Sequence, residues 1–162
     1  MSTHRFSLIL IAFFMIFQSY GQTAGDYYKI GLDKYDHQDF SGAIIAFDKA
    51  ISLGYHFEVV YNARGLAKMS LNDLKGALSD FNKAIELGPN SFVAYSNRGK
   101  VKNDLGDYYG AIADYNKQLE VMPFSGFIFN GRGVAKSNLQ DYRGAIADFD
   151  RYIYYYPDDP NG

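Results

Sequence analysis

The sequence contains no cysteine and no tryptophan, and it has only four prolines. Without cysteine the chain forms no disulfide, and cysteine nucleophiles and thiolate metal sites are excluded. No Asn-x-Ser/Thr acceptor for N-glycosylation occurs either. The net charge of -2 gives no sign of the basic surface that nucleic acid binding requires. We therefore expect no thiol chemistry and no nucleic acid partner.

The N-terminal segment differs in kind from the rest of the chain. His4 and Arg5 form a short basic start, and an unbroken apolar run occupies residues 8–17. The small residues Ser19 and Gly21 follow it. This order is typical of a secretory signal peptide, and we expect cleavage near Gly21. The apolar run is about half of the roughly 20 residues that span a bilayer, but an uncleaved N-terminal membrane anchor is the alternative.

This interpretation divides the chain into a signal peptide over 1–21 and a mature domain over 22–162. The protein would then be exported and would be periplasmic or secreted. No other long apolar run follows, so we expect no membrane insertion of the mature chain.

The clearest pattern in the remaining sequence is a repeat with a period of 34 residues. A Gly-Ala pair followed by Ile or Leu begins at Gly42, Gly76, Gly110 and Gly144. A fixed period of this size is the signature of a stacked-repeat protein. Four units fit without a gap, at 24–57, 58–91, 92–125 and 126–159.

Each unit carries the same residue types at the same offsets, as the third unit illustrates. Tyr95 is followed by Gly99, Asp107 opens a second segment, and Ala111 and Tyr115 follow it. Proline closes three of the four units. Small residues at Gly99 and Ala111 would allow two helices to cross closely, with the aromatic side chains filling the space beside the crossing.

The third unit also illustrates where the helices should begin and end. Apolar spacing predicts a first helix over 92–104 and a second over 108 to about 121. Gly106 suits a left-handed helix cap between them, and Asp107 suits the N-cap of the second helix. The second helix should end before Pro123.

This order of residues resembles the tetratricopeptide repeat family in all four units. The resemblance implies an all-α, right-handed superhelical array of four helical hairpins, an α-solenoid. It also implies that the first helices line a concave groove, which binds a peptide or an extended segment of another protein. The sequence shows no catalytic set of residues and no metal-ligand spacing, so we expect no enzyme activity and no cofactor.

Two sets of charged residues depart from the family pattern. One set places an arginine sixteen residues before an aspartate in three units, predicting the ion pairs Arg64–Asp80, Arg98–Asp114 and Arg132–Asp148. In the first unit Ile30 and Ala46 replace both members, which favours pairing over independent surface charges.

The other set is Lys34, Lys68, Lys102 and Lys136. We expect these ammonium groups to reach solvent or the N-cap aspartates Asp39, Asp73, Asp107 and Asp141, the alternative being a basic stripe for an anionic partner.

By resemblance, twelve residues on the first helices would form the partner-binding groove. They are Tyr28, Leu32, Tyr35, Asn62, Leu66, Met69, Ser96, Lys100, Asn103, Asn130, Val134 and Ser137. The set is apolar at its N-terminal end and polar at its C-terminal end, which predicts a peptide-like ligand with a hydrophobic end over the first two units. The alternative is that these residues form ordinary solvated helix faces.

The end of the array is the second candidate for an interface. Its last helix carries Tyr152, Tyr154, Tyr155 and Tyr156. These side chains either cap the core or form an edge for a homodimer or another partner. The corresponding alternative function is a structural or assembly factor of an envelope complex, associating through this edge.

Overall fold

The computed structural model describes residues 22–157, and over this range the chain forms eight α-helices and no strand. The helices are α1 (Ala24–Asp36), α2 (Phe40–Ser52), α3 (Glu58–Ser70), α4 (Leu74–Leu87), α5 (Phe92–Asp104), α6 (Tyr108–Leu119), α7 (Gly126–Asn138) and α8 (Tyr142–Tyr155). They pair in order as hairpins 1 to 4. The predicted signal peptide lies outside the described residues. Within 22–157, no helix combines the length and apolar character needed to cross a membrane.

The helices stack in two layers. Each helix contacts the next helix along the chain, and the first helices of successive hairpins also touch one another: α1 with α3, α3 with α5, and α5 with α7. The first helices therefore form an inner layer and the second helices an outer layer. This arrangement confirms the predicted all-α array of four hairpins.

Within each hairpin, a glycine on the first helix packs against an aromatic ring on the second. A Cβ atom added to Gly99 would lie 2.9 Å from Cε1 of Tyr115, and one added to Gly133 would lie 2.7 Å from Cε1 of Phe149. Either distance is too short for a carbon contact, so only glycine allows the ring to approach this closely. The close crossing of the two helices, predicted from the sequence, is confirmed.

The turn inside each hairpin is fixed by the predicted caps. Gly106 has a φ of 82°, in the left-handed region, and the carboxylate of Asp107 accepts the N–H of Gly110 at 3.0 Å. The equivalent caps on the other second helices are Asp39, Asp73 and Asp141. Each such cap typically stabilises a helix by about 1 kcal/mol.

Helix α6 ends at Leu119, two residues before the predicted end at Val121. The N–H groups of Val121 and Met122 both donate to the carbonyl of Gln118, at 3.1 and 2.9 Å, which turns the chain before Pro123. The prediction therefore placed the end of this helix slightly too late.

The three predicted arginine–aspartate pairs are confirmed, and all three are bidentate. In hairpin 3, Nε of Arg98 donates to Oδ2 of Asp114 at 2.8 Å, and Nη2 donates to Oδ1 at 2.6 Å. Arg64–Asp80 and Arg132–Asp148 have the same geometry. The three aspartates are each 3% exposed. Their hydrogen bonds matter because a buried carboxylate without a partner is strongly destabilising.

Each arginine also binds the preceding hairpin, a contact that was not predicted. Its remaining Nη1 group donates to a side-chain oxygen on the second helix of that hairpin. The acceptors are Asp48 for Arg64 at 2.5 Å, Asn82 for Arg98 at 2.8 Å and Asn116 for Arg132 at 2.5 Å. One guanidinium therefore joins three helices.

The prediction for the lysines was wrong in three of the four hairpins. Lys68, Lys102 and Lys136 bind the buried aspartates Asp80, Asp114 and Asp148, at 2.8, 2.9 and 2.7 Å, instead of the N-cap aspartates. A second cation adds favourable charge to a carboxylate that is already removed from water. Only Lys34 binds its N-cap, Asp39, at 2.7 Å, because Ala46 offers no carboxylate in hairpin 1.

Replacing Asp114 with alanine should destabilise the protein by about 3 kcal/mol, because Arg98 and Lys102 would both lose their buried partner. The double variant Arg98→Ile/Asp114→Ala reproduces the combination found in hairpin 1 and should lose less than Asp114→Ala alone. Urea denaturation of the wild type, Asp114→Ala, Arg98→Ile and the double variant measures these effects. Simple addition of the two single losses would contradict coupling between the two residues.

Candidate functional site

A cavity of about 390 Å³ lies between α5 and α7, the first helices of hairpins 3 and 4. Five predicted groove residues line it: Ser96, Lys100, Asn103, Asn130 and Val134. Six further residues complete the lining and were not predicted: Asn97, Asp104, Tyr115, Phe127, Ile128 and Gly131. The structure therefore brings together the polar, C-terminal part of the predicted groove.

The floor of the cavity is formed where Tyr115 approaches Gly131. A Cβ atom on Gly131 would lie 2.7 Å from Cζ of Tyr115, so a larger residue at this position would displace the ring. Tyr115 occupies the position at which the other hairpins have phenylalanine, namely Phe47, Phe81 and Phe149. The hydroxyl group is thus specific to the junction between hairpins 3 and 4.

Asn103 forms the polar part of the floor. Its Nδ2 donates to the carbonyl oxygen of Gly131 at 3.0 Å and to the hydroxyl of Tyr115 at 3.4 Å. The opposite amide orientation would place Oδ1 against the carbonyl oxygen, so the amide group has one favourable orientation. In that orientation Oδ1 is buried and has no hydrogen-bond partner among the described residues. Buried acceptors in proteins are normally paired with a hydrogen-bond donor.

Tyr115 is held neutral in this environment. Burial, and to a smaller extent the charge of Asp104, raise the pKa of its hydroxyl from 10.0 to about 12. The hydrogen bond from Asn103 acts in the opposite direction on this pKa. Near neutral pH the hydroxyl therefore keeps its proton and can donate a hydrogen bond.

Further amide groups extend the polar surface along the inner layer. Nδ2 of Asn97 on α5 donates to Oδ1 of Asn62 on α3 at 3.0 Å, and Asn130 on α7 lies half-buried at the cavity. Primary amides both donate and accept hydrogen bonds. Three successive first helices thus present groups that match the N–H and C=O groups of an extended backbone.

Apolar side chains complete the walls of the cavity. Phe127 and Val134 are exposed at it, while Ile128 is buried beneath it. Lys100 and Asp104, one turn apart on α5, place opposite charges at the cavity. The site is therefore a mixed pocket, with an apolar wall and a hydrogen-bonding floor.

The apolar part of the predicted groove, over hairpins 1 and 2, is used largely for internal packing. Tyr28 stacks on Tyr55 with ring centroids 5.0 Å apart, and Tyr35 meets Phe40 edge-on at 5.3 Å. Leu66 and Met69 pack against a buried cluster that contains Phe81. Leu32 remains exposed, and Ser137 is half-buried on α7.

A second cavity, of about 500 Å³, lies on hairpin 1 between α1 and α2. Its lining includes Ile30 and Ala46, the residues that replace the arginine and aspartate of the other hairpins. Because these shorter side chains leave the position of the ion pair unfilled, the missing pair accounts for the cavity.

The buried aspartates and the N-cap aspartates of the second helices are all paired within the described residues 22–157. No group of three histidine, aspartate or glutamate side chains in this range is placed to hold a metal ion. Asp80, Asp114 and Asp148 bind arginine and lysine, and the N-cap aspartates bind helix N–H groups.

Comparison with known proteins identifies the repeat. The family model of the tetratricopeptide repeat matches residues 59–91 and 93–123, which are most of hairpin 2 and hairpin 3. No curated protein matches the chain in sequence.

Several solved structures share the fold. YrrB, described as a tetratricopeptide-repeat protein with an unusual peptide-binding site, is 23% identical with a TM-score of 0.79, over 85% of this chain and 71% of YrrB. MamA from Desulfovibrio magneticus RS-1 is 19% identical with a TM-score of 0.80, over 86% of this chain and 78% of that protein. A tetratricopeptide-repeat protein from Parabacteroides merdae is 22% identical with a TM-score of 0.76, over 86% of this chain and 56% of that protein.

The Tyr115→Phe variant tests the buried floor through the pH dependence of stability. Because the pKa of Tyr115 is raised in the folded state, the hydroxyl of the unfolded chain loses its proton at a lower pH, above about pH 10. Between pH 10 and 12 this residue therefore lowers the unfolding free energy of the wild type by up to about 1.4 kcal/mol per pH unit.

Urea denaturation of both proteins at pH 8 and at several values above pH 10 measures this difference, since the other tyrosines contribute equally to both. We expect the unfolding free energy of the wild type to fall relative to that of Tyr115→Phe as the pH rises. A difference that does not change with pH would mean that the hydroxyl is exposed to water.

Proposed function

We propose that this tetratricopeptide-repeat protein is an exported interaction module that binds an extended segment of another protein at the cavity between α5 and α7. Proteins with this repeat are in general non-enzymatic scaffolds, and the fold suggests protein–protein interaction. The site and the exported location are the further steps that we propose.

The observation that carries the proposal is the buried, unpartnered Oδ1 of Asn103 beside the hydroxyl of Tyr115. After a small rotation of the Asn103 side chain, a bound backbone N–H can donate a hydrogen bond to this oxygen. A bound carbonyl oxygen accepts a hydrogen bond from the neutral hydroxyl. Leaving such an acceptor unpaired costs about 1–3 kcal/mol, so a ligand that satisfies it gains affinity.

The remaining groups suggest how the segment lies. Asn62, Asn97 and Asn130 continue the row of amides across α3, α5 and α7. An extended chain crossing these helices meets an amide at each step, while one apolar side chain packs between Phe127 and Val134. The peptide-binding site named for YrrB, a protein of the same fold, is in keeping with such a ligand.

The exported location rests on the order of residues before the array. A basic start, the apolar run over 8–17 and the small residues up to Gly21 are those of a cleaved signal peptide. N-terminal sequencing of the protein recovered outside the cytoplasm tests this point. A chain that starts at Gln22 is expected, whereas an intact N-terminus in a membrane fraction would favour an anchored form.

Peptides selected from a displayed library of twelve-residue sequences test the groove. The selected peptides should bind the wild type and lose at least tenfold in affinity for Asn103→Ala and for Asn130→Ala, because each variant removes hydrogen bonds to the backbone. Isothermal titration calorimetry gives the affinities.

Tyr109→Ala serves as the matched control, since Tyr109 is a large exposed residue on α6 in the outer layer. Its replacement should leave peptide affinity unchanged. Peptides that bind the two asparagine variants normally, or that lose affinity for Tyr109→Ala alone, would contradict binding at the inner layer.

A further inference from the structure

The side of α8 that faces the C-terminal end of the array carries an exposed apolar stripe. Tyr142, Ile146 and Ile153 are 61%, 60% and 43% exposed, and they lie four and seven residues apart. This spacing places them on one face of the helix. Apolar side chains of this size that recur on one face indicate an interaction surface.

The tyrosines singled out in the sequence do not cover this stripe. Tyr152 is buried against Phe127, and Tyr156 packs over Gly126, where a Cβ atom would clash with its ring. Tyr155 is half-buried against Phe129, which leaves Tyr154 as the exposed member of the four. These rings close the open end of hairpin 4 from within.

The other three hairpins show what occupies the same stripe. The equivalent residues on α2, α4 and α6 are all half-buried: Phe40, Ile44, Ile51, Leu74, Leu78, Ile85, Tyr108, Ile112 and Leu119. Ile44 and Ile51 pack against a core that includes residues of α3, and Ile112 and Leu119 pack against one that includes residues of α7. In each case the first helix of the following hairpin covers the stripe.

The covering helices share a pattern. On α3, Val60, Ala63 and Ala67 are buried and Arg64 stands among them. Arg64 donates to Asp48 on the preceding second helix, as Arg98 and Arg132 donate to Asn82 and Asn116. The residue at the equivalent position of α8 is Asp150, which is exposed and binds no arginine among the described residues. The stripe on α8 thus has the apolar residues and the acceptor, and no helix within the described residues 22–157 covers it.

A second copy of this chain does not supply that helix by head-to-tail stacking. At the positions of Val60, Ala63, Arg64 and Ala67, α1 has Asp26, Lys29, Ile30 and Asp33. Stacking α1 on α8 would bury three charged groups and would place Ile30 against the carboxylate of Asp150. The N-terminal edge is a polar cap, whereas the C-terminal edge is apolar, and capping repeats normally have a polar outer face.

We propose that the stripe of Tyr142, Ile146 and Ile153 binds an amphipathic helix of a different protein, seated like the first helix of a following hairpin. The partner helix has apolar or small residues at i, i+3 and i+7, and an arginine at i+4 that donates to Asp150. This surface is separate from the cavity between α5 and α7, so the two proposals stand or fall independently.

A synthetic probe tests the proposal on the full chain. The probe is a fluorescent peptide with the sequence of residues 58–71, held helical by a hydrocarbon staple on its polar face. We expect measurable binding by fluorescence anisotropy, and about tenfold weaker binding for Asp150→Ala or for a probe with leucine in place of arginine. Ile146→Asp should abolish binding.

Ile45→Asp is the matched control, because Ile45 is an isoleucine of similar exposure on α2, outside the stripe. It should bind the probe as the wild type does. Ile146→Ser provides a milder variant, and circular dichroism verifies that each variant is folded.

Three results would overturn the proposal. The probe fails to bind the wild type, or Ile146→Asp binds it unchanged, or sedimentation shows that the chain alone forms a dimer which Ile146→Asp converts to a monomer. In the last case the stripe is an interface between copies of this chain.

Discussion

The array depends on the hydrogen bonds of a half-buried arginine that recurs in three hairpins. In hairpins 2, 3 and 4 it binds the aspartate of its own second helix with two hydrogen bonds, and it binds the second helix of the preceding hairpin with a third. The same side chain therefore sets the register inside a hairpin and the register between hairpins. Because the aspartate is removed from water, the pair specifies one arrangement more than it adds net stability. The glycine–aromatic crossing brings the two helices close enough for this contact to form.

The two ends of the array are places where this contact is incomplete. Hairpin 1 has Ile30 and Ala46 instead of the pair, and the space left between its helices is an apolar cavity. Hairpin 4 has the pair but presents Asp150, beside an apolar stripe, where no arginine of the described residues 22–157 reaches it. Between these ends, the substitution of tyrosine for phenylalanine at Tyr115 and the absence of a side chain at Gly131 open the inner layer to a polar floor. The specific properties of the molecule thus lie in departures from its own repeat.

Most of the fold follows from the sequence because most local features of the repeat occur in three or four of the units. The period, the caps at Asp107 and Gly106, and the Arg98–Asp114 pair all depend on short-range spacing that the sequence displays. The partner of Lys102 could not be predicted in the same way, since Asp107 and Asp114 are both within reach and burial decides between them. The cavity floor depends on a contact between Tyr115 and Gly131, which belong to different hairpins. The one available signal was Tyr115 itself, the single tyrosine in a column of phenylalanines.

Binding of an extended segment on the inner layer is the central claim, and side-chain amides report on it directly. Nitrogen-15 spectra of the labelled protein, recorded during titration with a selected peptide, would follow the NH2 groups of Asn103 and Asn130. The account predicts that both signals shift and reach saturation together, while the NH2 group of Asn72, in the exposed turn of hairpin 2, stays unchanged. Unshifted signals from Asn103 and Asn130 at saturating peptide, with changes confined to the outer helices, would contradict it.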